Sequence, residues 1–237
     1  MGGREMAAAA VEAKANVSGQ GVSVLDGEGV GFLSQLPLAL RSQLIRGGRR
    51  VTYARGAIIS MDGETQPGVI LDGLIRAYLT ALDGREMTLK YGRPGEAIGI
   101  VAPFVDTMPP IALQAIEQTS VLYFDRRRFE RALATEVVLA RGIAWQLARV
   151  FVTSSDTAEE LAFGSVRQRV AGHLLQLSSF SERQGLVARV TQQELADAVG
   201  SVRQVVARAI AELRDAGLIR TSPGTIVILE QAALGRE

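Results

Sequence analysis

No cysteine occurs among the 237 residues, which excludes disulfides, thiolate zinc sites, cysteine-ligated iron–sulfur clusters and cysteine nucleophiles. A single histidine, His173, leaves no partner for a two-histidine metal site or for a second imidazole in acid–base chemistry. With no nucleophile–base pair and no metal-ligand cluster in the pattern, an enzyme is not expected. No uninterrupted apolar run approaches the roughly 18 residues of a membrane span, and residues 1–20 lack a basic segment leading into an apolar one, so a cytoplasmic protein without membrane contact is expected. An excess of one charge is lacking too: 26 Lys and Arg face 25 Asp and Glu. From Ser165 onward nine Arg and no Lys stand against seven acids, while the preceding residues carry seventeen basic and eighteen acidic side chains. Bulk charge therefore announces no nucleic acid, and any such partner must be argued from where particular arginines sit.

What is present is ordinary globular composition, 47% hydrophobic and 22% charged, enough to fill one large core or two modest ones. Residues 1–29 are rich in Ala, Gly and Ser, with a helix-capable stretch at 6–15, and read as a flexible tail. From Val51 the texture changes. Short segments rich in Val, Ile, Tyr and Leu alternate with Gly56, Gly63, Gly68, Gly73, Gly84, Gly92, Gly95 and Gly99, the spacing of a small antiparallel barrel or sandwich. Its clearest hairpin runs 74–82, turns at Asp83-Gly84 as a two-residue loop, and returns over 85–91.

After Phe124-Asp125 the glycine punctuation stops and a helical pattern runs to about Phe163. Val137, Ala140, Ala144, Leu147, Phe151, Ser154, Ala158 and Leu161 recur at alternating steps of three and four, a heptad seam. A continuous helix over 135–162 would be roughly 40 Å long, which predicts a homodimer through Val137, Ala144, Leu147, Phe151 and Ala158. The other reading is a helix lying along its own barrel.

Past Gly164 a helix is predicted from Ser165 to about Phe180, with Val166, Val170, Leu174 and Leu177 on one face and His173 as a packed or surface histidine. Thr191-Gln192-Gln193-Glu194 reads as a capping box opening a short helix that Gly200 ends. Ser201 is then expected to cap a second helix from Val202 to about Ala216. At about 100° per residue, Val202, Val205, Val206, Ala209, Ile210 and Leu213 fall on one face, and Arg203, Gln204, Ala207, Arg208, Ala211 and Arg214 on the other. Arginine forks among small side chains suit a groove floor, since Arg can pair with guanine O6 and N7 and Gln with adenine N6 and N7. Residues 218–221 and 225–229 around Ser222-Pro223-Gly224 form a two-stranded wing.

This order resembles the Crp/Fnr family of the cyclic-AMP receptor protein and the fumarate–nitrate reduction regulator, over about Phe32 to Leu229; the residues from Thr191 to Arg208, with Leu213 and Gly217-Leu218-Ile219, are similar to its recognition unit without a gap. The resemblance implies an α+β chain: a tail at 1–29, an N-terminal antiparallel β-roll of the cyclic-nucleotide-binding jelly-roll kind at 30–130, a long dimerisation helix at 131–163 and a C-terminal winged helix-turn-helix at 164–237. It implies a homodimeric transcription regulator that reads pseudo-palindromic double-stranded DNA through Arg203, Gln204 and Arg208, with Gln192 and Ser201 nearby, and has RNA polymerase as a candidate partner. The family has a glutamate at the position of Gln204. Glutamate only accepts, from cytosine N4, whereas Gln204 both donates and accepts, so the base it reads stays open.

Gly95-Glu96-Ala97-Ile98-Gly99 resembles the start of the family's phosphate-binding cassette, in which a glutamate takes the ribose hydroxyl and an Arg-Ser or Arg-Thr pair clamps the cyclic phosphate. Here that pair falls on Pro109-Pro110, and proline lacks even an N–H donor. Glu96 would repel a phosphate, and only Arg93 or the Arg126-Arg127-Arg128 run could fold back to offset it. Glu96, Phe151, Ser154 and Ser155 are the candidate effector-binding residues, and the apolar Met108–Leu113 stretch is similar to members that sense hydrophobic small molecules. Without cysteine the iron–sulfur branch is closed, and haem lacks axial ligands because His173 lies in the DNA-binding half. The expectation is a small-molecule effector other than cyclic AMP. The alternatives are a constitutive regulator with an empty sensor, or a cyclic-nucleotide-sensing or protein-interaction module that does not read DNA.

Overall fold

A computed structural model describes residues 31–61, 65–107 and 110–237, so the proposed tail, Gly63, Met108 and Pro109 lie outside the described residues. The chain forms two compact units: one runs as far as Thr157, and the other holds Ala158 onward together with Leu82–Met87.

In the first unit, which takes β5 only from Thr88 onward, α1 (Leu38–Ile45) precedes eight strands: β1 (Arg49–Tyr53), β2 (Ile58–Ser60), β3 (Gly68–Asp72), β4 (Ile75–Thr80), β5 (Glu86–Gly92), β6 (Ala97–Ile98), β7 (Ala112–Ala115) and β8 (Thr119–Tyr123). They make two four-stranded sheets, ordered β1-β8-β3-β6 and β2-β7-β4-β5. This is the expected jelly roll. Strand alternation divides the apolar side chains between two cores. Ile70, Val121 and Tyr123 of the first sheet meet Ile75 of the second inside the roll, where the Tyr53 and Tyr123 hydroxyls share a hydrogen bond of 2.8 Å. Val69 and Leu122 point the other way, into a cluster with Phe32, Leu44, Phe129, Leu139 and Ile143.

The hairpin differs from the expected one. β4 stops at Thr80 and β5 starts at Glu86, so five residues separate them rather than two. Asp83 accepts from the Arg85 backbone N–H and guanidinium, at 3.1 and 2.8 Å, so local bonds replace the ladder there. Leu82 is fully exposed.

The long helix is also interrupted. α2 (Arg126–Thr135), capped by the Asp125 carboxylate on the Arg128 N–H, ends at Glu136 in extended backbone (φ −106°, ψ 95°), and α3 (Val137–Phe163) begins afresh. The break lets Phe129 and Ala132 on one helix and Leu139 and Ile143 on the other face one core. Burying each large side chain contributes about 1.5–3 kcal/mol, which outweighs a lost turn at the β-branched Thr135, Val137 and Val138. By length and composition alone α3 could cross a bilayer, although Leu139 and Ile143 are buried in the protein's own core and Arg141 and Arg149 are exposed on it.

The second unit contains α4 (Val166–Leu177), β9 (Ser179–Ser181), β10 (Gly185–Ala188), α5 (Gln192–Ala198), α6 (Arg203–Asp215), β11 (Ile219–Ser222), β12 (Thr225–Ile228) and α7 (Gln231–Leu234). α4 starts next to Ser165, as expected, where a Ser165–Gln168 capping box fixes it, but stops at Leu177 rather than Phe180. Residues 179–181 instead pair with β10, and the expected two-stranded wing becomes half of a four-stranded sheet, β11-β12-β10-β9. Val170, Leu174, Leu195, Val206, Leu213 and Ile219 knit helices and sheet into one core. Burial, with the charge of Arg169 second, pushes His173 down to about 4, so it is neutral at neutral pH, as befits a packing residue.

Candidate nucleic-acid interface

The helix-turn-helix is built by short-range chemistry. The Thr191 hydroxyl accepts from the Glu194 N–H at 3.1 Å and the Glu194 carboxylate accepts from the Thr191 N–H at 2.7 Å, which closes the capping box and fixes where α5 begins. After α5 the chain reverses at Gly200, whose φ of +64° lies in the left-handed region that glycine occupies without strain. Ser201 donates its N–H to Ala196 O at 2.9 Å and sits half-buried in the turn. It does not cap α6: Val202 occupies the cap position, with no side-chain hydrogen bond.

On α6, Val206, Ala209, Ile210 and Leu213 are buried, while Arg203, Gln204 and Arg208 are exposed, as the helical wheel requires. Two valines depart from it. Val202 is 58% exposed because it precedes the helix in extended backbone, where a 100° step has no meaning, and Val205 is 42% exposed at the edge of the packed face. Among the described residues Arg203 and Gln204 make no side-chain hydrogen bond or ion pair, whereas Arg208 donates from Nε to Glu212 Oε1 at 3.1 Å.

Beside Arg203 lies an open cleft of about 690 Å³ between the start of α5 and the wing. Its rim is polar, with Thr191, Gln192, Thr221 and Ser222, and its floor is Val190, Ile210 and Ile226. The wing turns through Pro223, which fixes φ, and Gly224 at φ +67°, the left-handed region that glycine occupies without strain. Of the residues expected at DNA, the structure brings Gln192 and Arg203 to this cleft, sets Gln204 and Arg208 on the exposed face of α6 and leaves Ser201 in the turn. Thr221 and Ser222 were not foreseen there. Their signal was only the hydroxyls flanking a turn, which any surface hairpin carries.

In the roll, Glu96 accepts from the Lys90 ammonium, so its charge is balanced and it would not repel an anion as expected. Arg93 is half-buried; burial lowers its pKa, and the carboxylates of Glu96 and Glu117 act against that shift. Arg126 pairs with Glu130, and Arg128 donates to Arg46 O, so both ends of that run are engaged elsewhere. On α3, Phe151, Ser154 and Ser155 are exposed, and the Ser155 hydroxyl turns back to Phe151 O. The Thr157 hydroxyl lies 3.0 Å from Thr153 O of its own helix and 3.3 Å from Leu89 O of the roll, and its one proton is shared between them.

Residues 168–237 match the Crp-like helix-turn-helix domain and residues 50–136 the cyclic nucleotide-binding domain. The chain is 32% identical over 191 residues to the transcriptional regulator LdrP of Thermus thermophilus, spanning 78% of this chain and 94% of that protein. To the cyclic AMP receptor protein of Thermus thermophilus it is 30% identical over 190 residues, spanning 78% and 86%. The crystal structure of a CRP-family transcriptional regulator from Thermus thermophilus superposes with a TM-score of 0.63 at 31% identity, over 78% of this chain and 95% of that one.

Proposed function

The chain belongs to the Crp/Fnr family of DNA-binding transcription regulators, whose members are not enzymes, and from that premise we propose that it acts in the cytoplasm as a homodimer reading a pseudo-palindromic operator under control of a small molecule other than cyclic AMP. The observation that carries the DNA reading is the exposed α6 face, where Arg203 and Gln204 have no side-chain partner among the described residues and stand next to a polar cleft that the wing completes. α6 enters the major groove, Arg203, Gln204 and Arg208 meet base edges, and Gln192 with the wing hydroxyls meets the backbone. An effector acts by binding one of two dimer states more tightly than the other. Haem and iron–sulfur cofactors are not invoked, because the chain has no cysteine and its one histidine packs in the DNA-binding unit. RNA polymerase remains the further partner proposed.

Arg203→Ala tests the reading. Loss of about 1–3 kcal/mol confined to one guanine is expected when binding is selected from random duplexes, whereas a phosphate contact would weaken all sequences alike. A variant with the parent's preferred site and affinity would show that Arg203 is not a reader.

The departure from cyclic AMP rests on the prolines in place of the clamp and on Glu96 being already engaged by Lys90. That same ion pair favours a second reading, a constitutive regulator with an empty sensor, because a carboxylate satisfied within the protein needs no ligand hydroxyl. Calorimetric titration with cyclic AMP is expected to give a dissociation constant of about 1 mM or weaker, some 4 kcal/mol of binding. Micromolar binding that also tightens DNA binding would overturn this and make Lys90 or Arg93 the phosphate's cation.

A further inference from the structure

We infer that Glu212 is a positioning residue for DNA reading, holding the Arg208 guanidinium so that its terminal nitrogens face the base edge. The inference rests on the reading that α6 lies in the major groove. Glu212 follows Arg208 by four residues, one turn along the exposed side of α6, and its Oε1 accepts from Arg208 Nε at 3.1 Å. A guanidinium has five N–H donors in one plane, one on Nε and four on the two terminal nitrogens. A carboxylate on Nε leaves both terminal nitrogens free and fixes the plane in which they lie, and these are the donors that bind O6 and N7 of guanine together.

Helix stability does not account for the pair. Arg208 is 83% exposed and Glu212 42%, a setting in which ion pairs contribute little. The order, with the basic residue N-terminal to the acid, is also the weaker one for a helix. Near a polyanion the carboxylate is electrostatically unfavourable, so its presence on this face calls for a compensating role. The other arginines of α6 show the contrast. Arg214 gives both Nε and a terminal nitrogen to Asp215, which uses one edge of its fork, and Arg203 has no such partner among the described residues. Arg208 alone of the two proposed arginine readers is held before DNA arrives, which reduces the rotamer freedom lost on binding.

The test measures binding of the full-length protein to its preferred duplex and to the three substitutions at the base pair that Arg208→Ala identifies. Arg208→Ala is expected to abolish a preference of about 10- to 100-fold at that pair. Glu212→Ala should lower the same preference about tenfold, whereas Glu212→Gln, whose amide oxygen still accepts from Nε, should keep it within about twofold. In the Arg208→Ala background, Glu212→Ala should add nothing to base preference. Full preference in Glu212→Ala, or tighter binding to all four duplexes alike, would overturn the positioning role and leave only charge repulsion, with the reading of DNA by Arg208 intact. Unchanged preference in Arg208→Ala would instead remove the groove reading itself, and the inference with it.

Discussion

Insertion of five base pairs between the half-sites of the preferred operator is expected to weaken specific binding about a hundredfold or more. In the proposed homodimer two α6 helices related by a two-fold axis would enter successive major grooves on one side of the duplex, which requires half-site centres about 10–11 base pairs apart. Five extra base pairs turn one half-site by about half a helical turn, to the far face, and move it about 17 Å along the axis. Specific complexes exceed non-specific ones by about 10³–10⁷, so forfeiting one of two equal half-sites removes roughly half of that free energy. A ten-base-pair insertion returns the half-site to the same face but about 34 Å further away, and is expected to fail as well because one dimer would have to span both. Equal affinity for all three spacings, measured by titration at constant salt, would mean that each chain binds alone.

The order of the modules could be read from the sequence because each is announced by local chemistry. The capping box of Thr191 and Glu194, the glycine at 200 and the Pro223-Gly224 turn all act within four residues and behave as their spacing suggests. Errors arise where a distant partner decides. Residues 179–181 look like the end of a helix, since only pairing with β10 makes them a strand. Asp83-Gly84 looks like a two-residue turn until the Asp83 carboxylate takes the Arg85 donors and widens the loop. Thr135 and Val138 lie within one helical pattern, yet a core shared by Phe129 and Leu139 bends the chain between them. The same holds at the sites. The direction of Arg203 and Arg208 follows from helix geometry, but their different states do not, because only the side-chain conformations decide that Arg208 meets Glu212. The Lys90–Glu96 pair joins β5 to the turn before β6, strands of two different sheets, and it is the turn at Arg93–Glu96, where the Glu96 N–H donates to Arg93 O, that folds one back towards the other.

Phe151→Asp is expected to convert the protein to a monomer at micromolar concentration while leaving its fold intact. α3 has two apolar sides. Leu139 and Ile143 are buried in the protein's own core, whereas Val137, Ala140, Ala144, Phe151 and Ala158, spaced by three, four and seven residues, are exposed. Phe151, at 72% exposure, is the large aromatic of this seam and is the side chain that a second copy in the proposed homodimer would cover. A two-fold axis would bring two carboxylates into the same apolar layer, each without a partner, at a cost of several kcal/mol and a rise in the dissociation constant of about 10³ or more. Leu147→Asp is the weaker test, because Leu147 also packs against the chain's own core and its loss would confound folding with assembly. Sedimentation reads the mass and thermal unfolding the fold. The monomer should then bind single half-sites and lose its sensitivity to their spacing, which ties the seam on α3 to the reading by α6. A Phe151→Asp chain that still sediments as a dimer would place the interface on another surface and require a different cover for this face of α3.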